Sequence, residues 1–460
     1  MPSYYVFVTM IGLCILAHAM YWTKYLEQAN TEGYLGTSLF PPVKKKGIDI
    51  KWIKGRSGLP VTLRQSAFDT VAPVRDRIGV TAIQTEMPFF RDSFIIKESD
   101  RQEILRAQDS NDPYVQPVLD NIYSDAKNLT NGANVVPERM IMQLLSPADG
   151  SPKIELSDGA KASCLYEYDV DGSFKVNNFK ALTGTAAWTD HKNSNPVQDI
   201  LDAQEAVYKL TGNVPTIALM SKKTLRDIRE NENVKAYIVA KAQAAGGVVL
   251  ITDKLVKEYI SEETELTVVV NNKSFIDESG TAKKFYPDDM VTLLPAQPLG
   301  STVYGTTPEE ADLMADGKAD VAIVNTGVAI TTIKQQNPVN IRVLASEIVL
   351  PSFEGMDNVY VINTNAKIGE LTVNSVAGTS ASGKTKVTVS PSLSAGNSYK
   401  YKTASSVTVP EFGAECKSGY TAWDGVSEIT ATTGNKILIV EVDANNKAVK
   451  AGSATVASKA

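Results

Sequence analysis

The spacing of apolar residues changes character several times along the chain, and each change marks an element. Residues 4–22 carry no Asp, Glu, Lys or Arg, and only Thr9, Gly12 and His18 interrupt their apolar run. That length approaches the roughly 20 residues that cross a bilayer. No Lys or Arg precedes the run, however, and its interruptions suit a helix packed on a neighbouring surface better than a membrane span. Gly and Pro punctuate residues 34–42, which predicts an extended linker. Between Ile48 and Ile53 apolar residues interleave with lysines, as in a solvated strand pair. Residues 80–98 again have strand character, broken by Pro88 and by Arg91-Asp92-Ser93. This predicts a bulged edge ribbon projecting as a long hairpin.

Helical spacing follows. Asp112-Pro113 reads as a cap and first-turn proline ahead of Val115, Val118, Leu119, Ile122 and Ala126, and a second helix is expected from Pro137 to Leu145, stopped by Pro147. Alternation at 153–156 and 165–170, with Asp171-Gly172 as the turn, predicts a hairpin. Asn195-Pro196 opens a helix over 197–210 that Gly212 ends. Ile217–Met220 reads as a buried strand, and Ser221 as the cap of a helix over 222–229. With strands at 248–251 and 266–270 and a helix between them, residues 197–294 alternate as a compact α/β unit would. A short helix is expected at 308–315 and strands at 319–333 and 341–349. Beyond Ile362 short β runs recur between turns. Residues 366–460 contain no Arg and ten Lys against seven acidic residues, whereas the whole chain has a net charge of −6. That contrast predicts a separate all-β domain.

Composition narrows the chemistry. A chain of 460 residues that is 43% hydrophobic supports several domains with real cores. The acidic balance argues against a reader of duplex DNA, although residues 40–80 are locally basic, with nine basic and three acidic residues. Cys14, Cys164 and Cys416 are too few and too dispersed for a disulfide framework. Only His18 and His191 are present, which excludes a His-rich metal site. The stretch from Gly378 to Thr385 fits the phosphate-loop pattern G-x-x-x-x-G-K-[ST]. That chemistry needs a helix to follow, but residues 386–391 alternate and end in Pro391, so a Gly/Ser-rich hairpin loop is expected. Asp288-Asp289 and Glu309-Glu310 read as solvated pairs, Cys164 as a small buried hydrophobe, Asn128-Leu129-Thr130 as a chance glycosylation pattern, and 443–447 as a β-turn. No catalytic residue, cofactor or metal is expected, and contact is the expected function. Two other readings compete: a nucleotide-binding enzyme carrying the Gly378 loop, and a surface adhesin anchored through residues 4–22.

The residues also resemble a particular family. Tyr34-Leu35-Gly36 before Leu39-Phe40-Pro41-Pro42, Lys51-Trp52-Ile53-Lys54-Gly55, Ser66-Ala67-Phe68-Asp69, Ala72-Pro73-Val74-Arg75-Asp76-Arg77 and Glu86-Met87-Pro88-Phe89-Phe90-Arg91, then Asp100-Arg101-Gln102-Glu103, are similar to the lambda-type, E-family major capsid proteins of tailed phages. Thr185 to Asp190, Asn195 to Ile200 and Phe285 to Asp289 resemble its later landmarks. The resemblance spans residues 21–362 and implies an α+β chain with the Hong Kong ninety-seven capsid fold. Its implied parts are an N-terminal arm at 1–60, an extended hairpin loop at 61–98, a peripheral domain with a spine helix at 99–190 and 335–365, and an axial domain at 191–334. The β domain at 366–460 is additional. Around Thr421-Ala422-Trp423-Asp424-Gly425, 433–443 and 450–452 it resembles lambda-type head-decoration proteins, with an immunoglobulin-like sandwich as the alternative. The family implies a non-enzymatic shell protein of the virion, assembled in the bacterial cytoplasm. Its implied partners are copies of itself as hexamers and pentamers, a separate scaffolding protein, a portal and packaged double-stranded DNA held without sequence specificity, but no membrane. The matching positions nominate Tyr34, Phe40, Trp52, Phe68, Asp69, Arg75, Asp76, Arg77, Glu86, Phe89 and Arg91 as assembly contacts.

Overall fold

A strand of 13 residues, Val339–Pro351, organises the first part of the molecule. It pairs with Val328–Gln336 along one edge and with Phe89–Ile96 along the other, and its last three residues pair with Thr302–Tyr304. Asp320–Val324 and Pro42–Lys44 complete six strands. From Val343 to Pro351 every residue is buried. A strand covered on both faces reads as a continuous apolar run, not an alternation. The computed structural model describes residues 34–54, 81–99, 102, 115–158, 161–244, 250–313, 320–336, 339–394 and 396–459.

A helix of 31 residues, Val115–Leu145, packs along this sheet, with a length of about 46 Å at 1.5 Å per residue. The two helices expected on either side of Pro137 are one, and Pro137 lies inside it. An internal proline costs about 3 kcal/mol. Met140, Ile141, Leu144 and Leu145 are fully buried beyond it, and Val135 and Val136 pack against the same core before it. At about 1.5–3 kcal/mol for each fully buried side chain, that stripe outweighs the break.

The α/β unit is built on a second sheet, in the order Phe179–Ala181, Tyr360–Asn363, Met290–Leu294, Ile217–Met220, Thr267–Val270. Helices Pro196–Thr211, Lys222–Glu230, Glu232–Ala244 and Asp253–Thr264 accompany it. The local signals work as expected. Asn195 accepts from the Gln198 amide, Ser221 accepts from the Thr224 amide, and Gly212 ends its helix at φ +79°. Trp188, Ile200, Val207, Ile228, Ile260 and Val291 are buried between helices and sheet. Helix Glu232–Ala244 was not expected; of its residues, only Val234 and Ile238 are buried, too few to print a periodicity. Leu250 and Ile251 lie outside any strand, and Leu250 is exposed.

Other expectations change. Residues 319–333 form a hairpin, Asp320–Val324 with Val328–Gln336, which turns through Asn325 and Thr326 at positive φ. It joins the first sheet, not the α/β unit, while Phe179–Ala181 and Tyr360–Asn363 join the α/β sheet. The pairing therefore cuts across the boundary anticipated near 334. Lys153–Asp158 and Lys161–Glu167 do form a hairpin. Its turn is not Asp171-Gly172, because Gly172 instead opens the short helix Ser173–Asn177. The short helix expected near 308–315 is a π-helical turn, Glu309–Leu313.

The C-terminal segment is a two-sheet sandwich. Five strands run in the order Gly369–Glu370, Ala448–Thr455, Lys436–Val442, Ser398–Ala404, Thr421–Trp423, and three in the order Thr372–Ala377, Lys384–Ser390, Ile429–Thr430. Leu371, Val387, Tyr399, Trp423, Ile437 and Ile439 form one core cluster, while Cys416, Leu438, Val440, Val442 and Ala448 form another. Lys436–Val442 thus sends its residues alternately into two apolar cores. The connector is held at both ends, the Ala366 amide donating to Leu182 O and the Leu371 amide to Ala451 O.

Candidate assembly interface

The arm-side segment from Tyr34 to Lys45 is stitched to the body by main-chain bonds. The Leu35 and Gly36 amides donate to the Glu138 carboxylate at 3.1 and 2.8 Å. A Cβ at Gly36 would crowd Glu138 Oε2, so a larger residue would push the carboxylate away from the two amides. Burial pushes the Glu138 carboxyl above the usual range, opposed by those two amides and by the charge of Lys273. Tyr34 meets the Phe285 ring edge to face at 5.4 Å and lies under Lys273 Nζ. Phe40 is fully buried against Phe353, so this nominated contact anchors the arm inside its own subunit. Pro42–Lys44 then adds a strand parallel to Thr302–Tyr304, and Lys44 Nζ reaches the Glu310 carboxylate at 2.6 Å.

A hairpin follows this anchor. Asp49–Lys54 pairs antiparallel with Thr81–Glu86, placing Trp52 opposite Ile83 and Asp49 opposite Glu86. The paired strands begin about a dozen residues before the expected loop at 61–98 and end before Pro88. Glu86 is exposed. Phe68, Asp69, Arg75, Asp76 and Arg77 lie outside the described residues. So does the apolar run at 4–22.

Past Pro88 the chain becomes the edge strand Phe89–Ile96. Phe89 and Ile95 are exposed, as are Val43 and Ile48 near the arm strand. The Arg91 guanidinium stacks over the Phe89 ring at 4.7 Å and forms an ion pair with Glu309. Glu309 is buried and also accepts from Ser346 Oγ at 2.8 Å. Arg91 thereby ties the edge strand to the turn at Glu309–Leu313. Glu138 escaped the sequence reading, and Glu309, expected to be solvated, is buried. The usable signal was a carboxylate set among apolar neighbours, Val135-Val136-Pro137 before Glu138 and Met140-Ile141 after it.

The competing chemistries find no support in the geometry. The Gly378 loop joins two strands, and four of its donors are turned to one carboxylate. The Thr379 and Ser380 amides and both hydroxyls donate to Glu428, which holds that carboxyl down at about 2. The loop binds its own carboxylate where a phosphate would have to sit. A cleft of about 360 Å³ is lined by Lys222, Lys223, Arg226, Arg229, Lys284, Asp253 and Asp288. Arg229 pairs with Asp253, Lys284 with Asp288, and Lys223 with Asp227 and Asp289. Among the described residues no group of three or more His, Cys, Asp or Glu is placed to hold a metal, and no helix is long and apolar enough to cross a membrane.

The arm-side segment, the strand pair Asp49–Lys54 with Thr81–Glu86 and the edge strand Phe89–Ile96 thus adjoin a sheet-and-helix body. The family model for phage major capsid protein E matches residues 23–358, and the chain belongs to that family. It is a shell-forming capsid protein of the virion, a structural protein and not an enzyme. Residues 354–459 match a different model, the C-terminal domain of the S-layer protein SbsC. Among solved structures, a phage-related protein from Bordetella bronchiseptica RB50 is 14% identical over 76% of this chain and 97% of its own, with a TM-score of 0.47. The cyanophage A-1(L) capsid subunit is 12% identical over 74% and 95%, with a TM-score of 0.41. Domains 7, 8 and 9 of SbsC are 18% identical over 30% and 39%, with a TM-score of 0.19. No curated protein matches at a significant level.

Proposed function

We propose that subunits are laced into hexamers and pentamers by the arm before Tyr34 and the hairpin from Asp49 to Glu86, with the edge strand Phe89–Ile96 as a docking rail. The observation that carries this reading is the way the hairpin is mounted. Its base is fixed by Pro42–Lys44 on one side, by the Met87 amide bonding Ile48 O, and by Arg91 on Glu309. A rigid mount lets a protruding ribbon meet a neighbour at little ordering cost. Tyr34 and Phe40 belong to the mount, whereas Glu86, Phe89 and Arg91 face outward. Trp52 lies on the first of the paired strands, and Phe68, Asp69, Arg75, Asp76 and Arg77 fall between the two strands in sequence, the basic residues suited to acidic patches on the next subunit.

A partition by sheet follows. The Val115–Leu145 helix and the six-stranded sheet make the peripheral unit, Phe179 to Leu294 with Tyr360–Asn363 the axial unit, and 366–460 an outer β domain that stabilises or decorates the shell. Assembly in the bacterial cytoplasm on a separate scaffolding protein, around a portal and then around double-stranded DNA held without sequence specificity, completes the proposal. The test is to replace residues 55–80 by a short turn. The variant should stay soluble and folded by circular dichroism, yet show no closed particles by negative-stain microscopy with its scaffold co-expressed. Intact shells from this variant would refute the hairpin's role.

A further inference from the structure

We propose that the C-terminal domain closes on itself with an isopeptide bond between Lys450 and Asn397, promoted by Glu441. Three adjacent strands bring the groups together. Glu441 sits on the middle strand, directly opposite Lys450 on one side and opposite Tyr399 on the other. Asn397 lies just ahead of the strand Ser398–Ala404, two residues before Tyr399. The Glu441 side chain is fully buried. Asn397 Nδ2 donates to its Oε1 at 2.6 Å, and Lys450 Nζ donates to its Oε2 at 3.1 Å. Ser394 steadies both ends, its Oγ accepting from Lys450 Nζ at 2.7 Å and its amide donating to Glu441 Oε1 at 3.3 Å. One carboxyl group therefore holds an amine and a carboxamide beside each other.

This arrangement satisfies the lone pairs of a buried carboxylate and in doing so sets an amine beside a carboxamide. It matches what amide exchange needs, with proximity converting an unfavourable encounter into an intramolecular step and a carboxyl group able to move protons between the two nitrogens. Glu441 first takes a proton from the Lys450 ammonium. The free Nζ attacks Cγ of Asn397, and the Nζ–Cγ bond forms. The Cγ–Nδ2 bond then breaks as Glu441 passes a proton to Nδ2, which leaves as ammonia. Of the three ammonium protons, one stays on the new amide, one reaches Nδ2 through Glu441, and the last passes by the same route to the departing ammonia, giving ammonium. Nothing is oxidised or reduced, and Glu441 is regenerated as a carboxylate.

The bond would rivet the strand Ala448–Thr455 to the segment entering Ser398–Ala404. The test is intact mass spectrometry of the purified full chain, followed by proteolysis. The expected result is a mass lower than that of the polypeptide by one ammonia, with a branched peptide joining Lys450 and Asn397. Lys450→Arg keeps the charge opposite Glu441 but supplies no nucleophilic amine, so it should restore the full mass while the chain stays folded. Glu441→Gln and Asn397→Ala should do the same. A wild-type chain at its full mass, an ammonia loss located in another peptide, or a loss that persists in Lys450→Arg would overturn the proposal.

Discussion

Glu347 is the residue whose environment departs furthest from its chemistry. It is buried, and both carboxylate oxygens lack a hydrogen-bond partner among the described residues. Burial therefore pushes its carboxyl well above the usual range. The folded state holds this proton more tightly than the unfolded one, so the contribution is fully present below the ordinary glutamate value of about 4.3 and is lost as pH rises through the raised one. Glu347→Gln should consequently raise the melting temperature at pH 8 and leave it nearly unchanged at pH 4. An equal shift at both pH values would contradict a neutral acid. Phe40 offers a complementary test, since it fills the core against Phe353. Phe40→Ala should destabilise the unassembled subunit by about 3–5 kcal/mol in urea unfolding. A change below about 1 kcal/mol would mean that the arm base is not a core element.

At the level of elements, the edge strand Phe89–Ile96 carries the most informative surface. One of its edges is paired along Ile341 to Ile348, and no strand pairs with the other among the described residues. Unpaired strand edges are ready templates for another chain. Phe89→Asp combined with Ile95→Asp should leave the far-ultraviolet spectrum unchanged, since both side chains are exposed, while particle yield by microscopy falls. Undiminished yield would remove this strand from the interface. The sequence made local elements legible where a few neighbouring residues decide the outcome, as at Asn195, Gly212 and Ser221. It hid those decided at long range. Residues 89–96 looked like half of a hairpin because their true partner lies some 250 residues away. Pro137 looked like a helix start because the packing that overrides it is tertiary. Among the nominated contacts Glu86, Phe89 and Arg91 are exposed and Phe40 is buried; motif position does not distinguish them, because only the placement of Phe353 reveals that Phe40 points inward.

For the whole molecule, the C-terminal sandwich has its own cores, and a chain ending at residue 365 should still close shells. Such shells should break at lower temperature than full-length ones in a heating series followed by light scattering; equal resistance would argue that the sandwich adds no strength. The short connector between Tyr360–Asn363 and Gly369–Glu370 has a further consequence. A separate cementing protein occupies its positions by mass action, so dilution empties them. Here every subunit carries its own β domain from synthesis onward. Occupancy is fixed at one per copy whatever the concentration outside the particle, and it cannot be competed away.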